Sequence, residues 1–329
     1  MDRLSEYISR FNNATVLVVG DIIADHYVWG KVERISPEAP VPIVDVQSES
    51  FMLGGAGNVT GNILSLGGKV KLCGVVGRDD MGRWIVNRLK SEGVCTDGIV
   101  VEDGRPSSKK TRVIAHNQHV VRFDHESRGD ISRESQDIIL EYIRTHIDDI
   151  KVVVISDYAK GVITRNLVKN ILELALEYNL CIIVDPKLKH FDFYTGATVI
   201  TPNTSEASIA SGLTIIDDET LLKAGNVLLK QSNAEAVLIT RSEHGMSLFQ
   251  RNNDVIHIPA VAREVYDVTG AGDTVVSTLA LSVAAGASLS DAAILANYAG
   301  GIVVGIVGTA TVHQEQLIAA LNDNRFPLP

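Results

Sequence analysis

Cysteine is scarce in this chain: Cys73, Cys95 and Cys181 are the three in 329 residues, without paired metal-binding spacing and with mostly apolar neighbours. That excludes a disulfide framework and a cysteine-based zinc site, and reads as buried thiols in a reducing cytosol. A basic surplus is also missing. The net charge of −10 argues against a nucleic-acid surface, which would need a basic face. No Gly-x-x-x-x-Gly-Lys-[Ser/Thr] run occurs, so a P-loop nucleotide site is excluded at the level of motif. The nine histidines have no metal-ligand spacing, and His116, His119 and His125 read as surface residues. Residues 1–6 lack the basic-then-apolar pattern of a signal peptide. Ala292 to Val312 carries no charge and is long enough to raise a membrane question. Its Asn297, its glycines and its alanines in place of leucine predict a buried helix followed by a Gly-rich turn instead. The composition therefore predicts a soluble, cytoplasmic protein without nucleic-acid or membrane partners. No repeat, low-complexity tract or flexible linker interrupts it, so residues 1–329 read as one domain.

What is present is a regular alternation. Thr15 to Gly20 is a short apolar run ended by glycine, and similar runs follow at Val152–Ser156, Cys181–Val184, Thr198–Ile200 and Ala236–Ile239. Helical patterns at about 164–178 and 217–232 separate most of them, which predicts parallel strands, helical crossovers and a layered α/β sheet. Each run ends in polar residues: Asp157 and Lys160, Asp185 and Lys187, Asn203 and Glu206, Thr240 and Arg241. Ligands of open α/β sheets bind beyond the carboxyl ends of strands, so these ends should converge on one site. Pro40 to Phe51 and Thr111 to Asp124 depart from this scheme and read as exposed antiparallel strands.

The most informative segment is Val265-Tyr266-Asp267-Val268-Thr269-Gly270-Ala271-Gly272-Asp273-Thr274, directly before an apolar run. A glycine loop opening a helix presents free N–H groups at the positive end of the helix dipole, where an anion is stabilised. A carboxylate there, Asp273, makes sense as a base placed where a hydroxyl loses its proton while attacking phosphorus. The plainer alternative is an acidic residue in a first helical turn. Gly54-Gly55-Ala56-Gly57-Asn58 leaves two readings open: it approaches a dinucleotide fingerprint as Gly55-x-Gly57-x-x-x-Gly61, which would suit a nicotinamide-dependent oxidoreductase, but has one residue too many.

Together these segments resemble the ribokinase-like (PfkB-type) carbohydrate kinases over essentially the whole chain. The resemblance implies a ribokinase-like three-layer α/β sandwich with a mostly parallel central sheet. It adds a small β-strand lid, at about 26–53 and 105–125, that closes over the sugar and pairs two subunits into a homodimer. It implies an ATP- and Mg²⁺-dependent enzyme. Asp273 would be the base, Gly270, Ala271 and Gly272 the anion hole, and Lys187 the cation that neutralises transferred phosphate. Asn203-Thr204-Ser205-Glu206 resembles the family's Asn-x-x-Glu element, with Glu206 holding Mg²⁺ through water; the same spacing also suits a helix cap. Thr240, Arg241, Ser242, Glu243, Gly245 and Asn297 resemble residues flanking the adenosine, and Asp267 and Thr269 resemble a monovalent-cation loop for K⁺. Sugar contacts would come from Asp21 above all, then Asp25, Gly54, Gly55 and Asn58, with Asp157 and Lys160.

Arg34-Ile35-Ser36-Pro37-Glu38-Ala39-Pro40-Val41-Pro42, with residues 156–161 and 240–247, is similar to the subgroup acting on D-glycero-β-D-manno-heptose 7-phosphate. That implies a 1,7-bisphosphate product on the way to ADP-heptose for lipopolysaccharide core. Because the chain stops at Pro329, the following nucleotidyl transfer is expected elsewhere. Another sugar or sugar-phosphate kinase of the same family is the nearer alternative. If Thr111 to Asp124 is one alternating strand, Arg112 and Arg122 share a face by parity. With Lys109 or Lys110 nearby, that face would meet a substrate phosphate.

Overall fold

In the computed structural model, which describes residues 2–116, 118–251, 254–261, 268–306 and 310–323, the apolar runs form strands buried on both faces. The strands are β1 (Thr15–Gly20), β2 (Ile22–Ile35), β3 (Pro42–Gly55), β4 (Lys69–Gly77), β5 (Ile99–Glu102), β6 (Ser108–Ala115) and β7 (Gln118–His125). They continue with β8 (Val152–Ser156), β9 (Cys181–Asp185), β10 (Val199–Ile200), β11 (Ala236–Thr240), β12 (Met246–Gln250) and β13 (Ile256–Ile258). The helices are α1 (Asp2–Ser9), α2 (Ala56–Ser65), α3 (Asp80–Ser91), α4 (Arg133–His146) and α5 (Arg165–Tyr178). After them come α6 (Thr204–Ser211), α7 (Asp218–Ser232), α8 (Ala271–Ala284), α9 (Leu289–Val303) and α10 (Gln314–Asn322).

Nine strands make one sheet in the order β13-β12-β11-β10-β9-β8-β1-β4-β5, parallel from β11 to β5 and antiparallel at the β12 and β13 edge. Strand periodicity sorts β1 between two layers. Val16 and Val18 pack with Val59 and Ile63 of α2, Val276 of α8 and Leu295 of α9. Leu17 and Val19 pack on the other face with Ile139 of α4 and Leu167 and Ile171 of α5. Each such side chain contributes about 1.5–3 kcal/mol when fully buried, which is why a sheet covered on both faces reads as unbroken apolar runs. The uncharged stretch at residues 292–312 supplies most of α9, packed inside this core. No helix among the described residues is long and apolar enough to cross a membrane.

A second sheet of four strands stands apart, in the order β3-β2-β6-β7. Its outer pairs are antiparallel, as expected, but the central β2–β6 pair is parallel. Thr111 to Asp124 is not one strand. The chain turns at His116, whose φ is 52°, and splits the segment into β6 and β7. The parity argument for Arg112 and Arg122 therefore fails across the turn. The two residues nonetheless lie directly opposite each other in the β6–β7 register and share a face for that reason.

Chain order reverses between β1 and β8: β4 and β5 extend the large sheet one way, β8 to β11 the other. Such a switch point opens a crevice at the carboxyl ends of the strands. Asp21 directly follows β1 there and is 1% exposed. Its Oδ2 accepts from the Tyr158 and Lys160 amides at 2.9 and 3.0 Å, and its Oδ1 from the Val162 amide at 3.0 Å. The sequence pointed to Asp21 as the foremost sugar contact. In the fold its carboxylate is committed to the backbone of the loop after β8. Replacing it with alanine strands three amides, one buried and two part-buried, so Asp21→Ala should cost about 3 kcal/mol. The check is a urea titration with a lowered midpoint at unchanged slope; an unaltered midpoint would show that the loop holds without it.

Candidate active site

Helix α8 begins at Gly270, whose φ of 80° is the left-handed conformation glycine adopts freely, and no side chain caps this end. The first-turn N–H groups have no intrahelical acceptor, and that of Ala271 donates to the Val268 carbonyl at 3.2 Å. Asp273 sits in that turn, 5% exposed. Its Oδ1 accepts from the Tyr158 hydroxyl at 2.8 Å and its Oδ2 from the Asn58 side-chain amide at 2.6 Å. Burial raises its pKa to about 6; Asn58 and Tyr158 oppose that, Asp25 adds to it and Lys187 lowers it. Asn58, read from sequence as a sugar contact, thus holds the carboxylate directly. Its helix is keyed to α8 by further bonds, from Thr274 Oγ1 to Asn62 Oδ1 at 3.0 Å and from Ser277 Oγ to the Val59 carbonyl at 3.0 Å.

Tyr158 is the residue that sequence reasoning passed over while assigning its neighbours Asp157 and Lys160. The signal was its place at a strand end, one residue after a carboxylate. Asp157 is fully buried; it accepts from the Ala159 amide at 2.6 Å, meets His190 Nδ1 at 2.6 Å and accepts from the Tyr194 hydroxyl. Lys160 pairs with Glu126 at 2.6 Å. Both neighbours therefore brace the loop, and Asp157 has no surface to offer a ligand. Burial, Asp273 and Asp185 all push the Tyr158 phenol well above its ordinary pKa, so it stays a donor.

Lys187 follows β9, with its ammonium 3.2 Å from Glu206 Oε1 and 5.3 Å from the Tyr158 ring centre. Burial works against its charge, but Glu206 and Asp185 outweigh it and the pKa rises. Asp185 is driven well above the carboxylate range by burial and by Asp273. Glu206 and Asn203 form a capping box on α6: the Glu206 amide donates to Asn203 Oδ1 at 2.9 Å and the Asn203 amide to Glu206 Oε2 at 3.1 Å. Thr204 donates to the Thr240 carbonyl at 3.1 Å, while Ser205 is exposed. Farther out, Arg241 pairs with Asp218 at 2.8 Å, Ser242 and Glu243 are exposed, and Gly245 is packed against the Ile258 carbonyl. Asn297 is buried and donates to the Pro259 carbonyl at 2.8 Å. Thr240 to Gly245 lie at the ends of β11 and β12, toward one edge of the large sheet.

Across the crevice, Asp25 lies on β2, bonded to Arg112 of β6 and crowded against Gly54, where any Cβ would overlap its carboxylate. Gly55 leads from β3 into α2 with φ 58°. A glycine motif after an edge strand of the small sheet lacks the parallel strand that a dinucleotide site requires, which removes the oxidoreductase reading. Arg122, on the same face as Arg112, is 57% exposed along its side chain and paired with Asp124 at 3.1 Å. Thr269 lies in the turn before α8, and Asp267 falls outside the described residues. Among the described residues no three potential ligands converge as a preformed metal cage.

Comparison with known proteins bears on the fold and the family. The chain is 47% identical over 305 residues to the bifunctional protein HldE of Geobacter sulfurreducens, covering 93% of this chain and 62% of the relative. It is likewise 47% identical over 316 residues to the bifunctional protein HldE of Desulfatibacillum aliphaticivorans, covering 96% and 65%. The chain thus spans somewhat under two thirds of the length of these relatives. Among solved structures, Arabidopsis thaliana ribokinase complexed with ribose and ATP superposes with a TM-score of 0.74 at 18% identity, covering 94% of this chain and 99% of that one. Phosphofructokinase-2 from Escherichia coli gives 0.77 at 18% identity, covering 93% and 98%; both likenesses concern the fold. The profile of the pfkB family of carbohydrate kinases matches residues 13–316, and the chain belongs to that family.

Proposed function

We propose that this chain transfers the γ-phosphoryl group of ATP to the anomeric C1 hydroxyl of D-glycero-β-D-manno-heptose 7-phosphate, giving the 1,7-bisphosphate and ADP. The observation that carries the reading is Asp273: a buried carboxylate in the first turn of an uncapped helix, held at both oxygens, with Lys187 among the charges acting on it. Asp273 takes the proton of the C1 hydroxyl as its oxygen bonds to the γ-phosphorus and the bond to the β-phosphate oxygen breaks. The N–H groups at Gly270, Ala271 and Gly272, with Lys187, stabilise the transferring oxygens. Residues 203–206, 240–245 and Asn297 form the nucleotide side of the crevice, and Asp25, Gly54 and Gly55 the sugar side.

Glu206 and Asp185 offer hard oxygen donors beside Lys187, which fits Mg²⁺, an ion commonly bound through one or two carboxylates plus substrate phosphates and water. When bound it neutralises nucleotide phosphate charge. Thr269, in the turn before α8, would help hold K⁺. The small sheet acts as the lid of a single domain, and its exposed Val121 and Phe123, on the face away from Arg112, support pairing of two copies through it. The heptose assignment is supported by the Arg34–Pro42 segment and by the identity to the HldE proteins. It is tested by a coupled ADP-release assay across sugar phosphates, including both anomers of the heptose. The expected result is the highest kcat/KM on the β-anomer; no turnover of either anomer beside good turnover of fructose 6-phosphate would sink it.

Asp273→Asn should lower kcat by about 10²–10⁴-fold while calorimetry still detects ATP binding, and a variant with near-normal turnover would refute the base assignment. Because the base must be ionised and its pKa in the free protein is about 6, wild-type kcat/KM should fall as pH drops through that value. Tyr158→Phe deletes a donor that favours the ionised form, so this limb should move to higher pH; an unmoved pH profile of kcat/KM would leave the phenol without influence on the base. Glu206→Gln should raise the Mg²⁺ concentration needed for half-maximal rate without lowering the thermal midpoint much, since Asn203 still caps α6. An unchanged Mg²⁺ titration would reduce Glu206 to a helix cap.

A further inference from the structure

We propose that Lys110, on the inner face of the small sheet, receives the phosphate that the acceptor sugar already carries. This rests on the acceptor reading above and deepens it. The registers place Lys110 beside Asp25 on β2 and Asp124 on β7, with Arg112 two residues along β6 on the same face. Four cations around the crevice are already matched: Arg112 to Asp25, Lys160 to Glu126, Arg122 to Asp124 and Lys187 to Glu206. Lys110 differs. It is partly buried, and among the described residues it has no ion pair and no hydrogen-bond acceptor. Its ammonium rests over the Tyr158 ring, 5.1 Å from the centre.

A desolvated charge is costly unless an opposite charge meets it. Burial holds the Lys110 pKa below the usual lysine value; Asp25 opposes this, while Lys160 and Arg112 reinforce it. The surroundings thus hold several cations and one ammonium left without a partner. A phosphate dianion supplies what is lacking, and the three N–H donors of an ammonium suit its oxygens; a neutral sugar hydroxyl would leave the charge unmet.

Position separates this group from the one that handles the transferred phosphate. Tyr158 bonds to Asp273 through its hydroxyl and lies under both lysines with its ring. Lys187 reaches that ring from the end of β9, where Glu206 holds it. Lys110 reaches it from the small sheet, among the residues around Asp25. An acceptor lying along the ring would present one end to Asp273 and its phosphate to Lys110.

The test is steady-state kinetics of the full chain, wild type, Lys110→Met and Lys110→Arg, on the sugar phosphate turned over best in the panel and on its dephosphorylated counterpart. Lys110→Met should raise KM for the phosphorylated sugar about 10- to 100-fold, leave kcat and the KM for ATP unchanged, and erase the preference over the dephosphorylated sugar. Lys110→Arg should restore much of that preference. Unchanged acceptor KM in Lys110→Met, with the wild-type preference intact, overturns this proposal alone. A loss confined to kcat also overturns it, placing Lys110 on the transferred group. A wild-type enzyme that uses both sugars equally well overturns the acceptor reading and this proposal together.

Discussion

Keeping the Asp273 carboxylate buried at the start of α8 is the constraint on which the rest of the site depends. A carboxylate out of water needs donors, and here they come from two different parts of the chain: Asn58 on α2 and Tyr158 on the loop after β8. Each donor is itself held. Asn58 is fixed through the α2–α8 seam of Asn62, Thr274 and Ser277. Tyr158 is fixed because its loop is gripped from one side by Asp21 and from the other by Asp157, which His190 and Tyr194 hold in turn. The Asp273 carboxylate is therefore oriented by the packing of the whole switch point rather than by its own loop.

The same connectivity ties the small sheet to Asp273. Strand β3 runs without a break into α2, so the element that carries Asn58 is continuous with the sheet that carries Asp25, Arg112 and Lys110 on its inner side. Gly54 and Gly55 are the last residues of that sheet before the helix beside Asp273. Gly54 has no side chain because the Asp25 carboxylate occupies the space.

An overall charge of −10 is compatible with phosphate substrates because the cations are concentrated locally. Most of them are neutralised by a dedicated carboxylate, so each is preorganised without leaving a general positive field. The distribution of partners, not the count of cations, distinguishes Lys187 from Lys110.

Much of this was open to reading in one dimension. Parallel strands covered on both faces leave unbroken apolar runs, so β1, β8, β9 and β11, the helices between them and the polar residues at their ends are visible from local composition. The glycine loop before α8 likewise carries its chemistry in adjacent residues. Which polar residues face a ligand is a different kind of fact. Asp21 and Asp157 look like substrate contacts in sequence, yet each is consumed by loop backbone or buried side chains brought together from more than a hundred and from about thirty residues away. The pairing of Arg112 with Arg122 depends on a turn at His116 that the alternation of side chains does not reveal. The sequence by itself determined the layered sheet, the family and the loop that holds Asp273. Only the tertiary structure decided which carboxylates are sealed, that Tyr158 bonds to Asp273, and that Lys110 lacks a partner among the described residues, because hydrogen-bond and ion-pair partners are chosen by proximity in space and not along the chain.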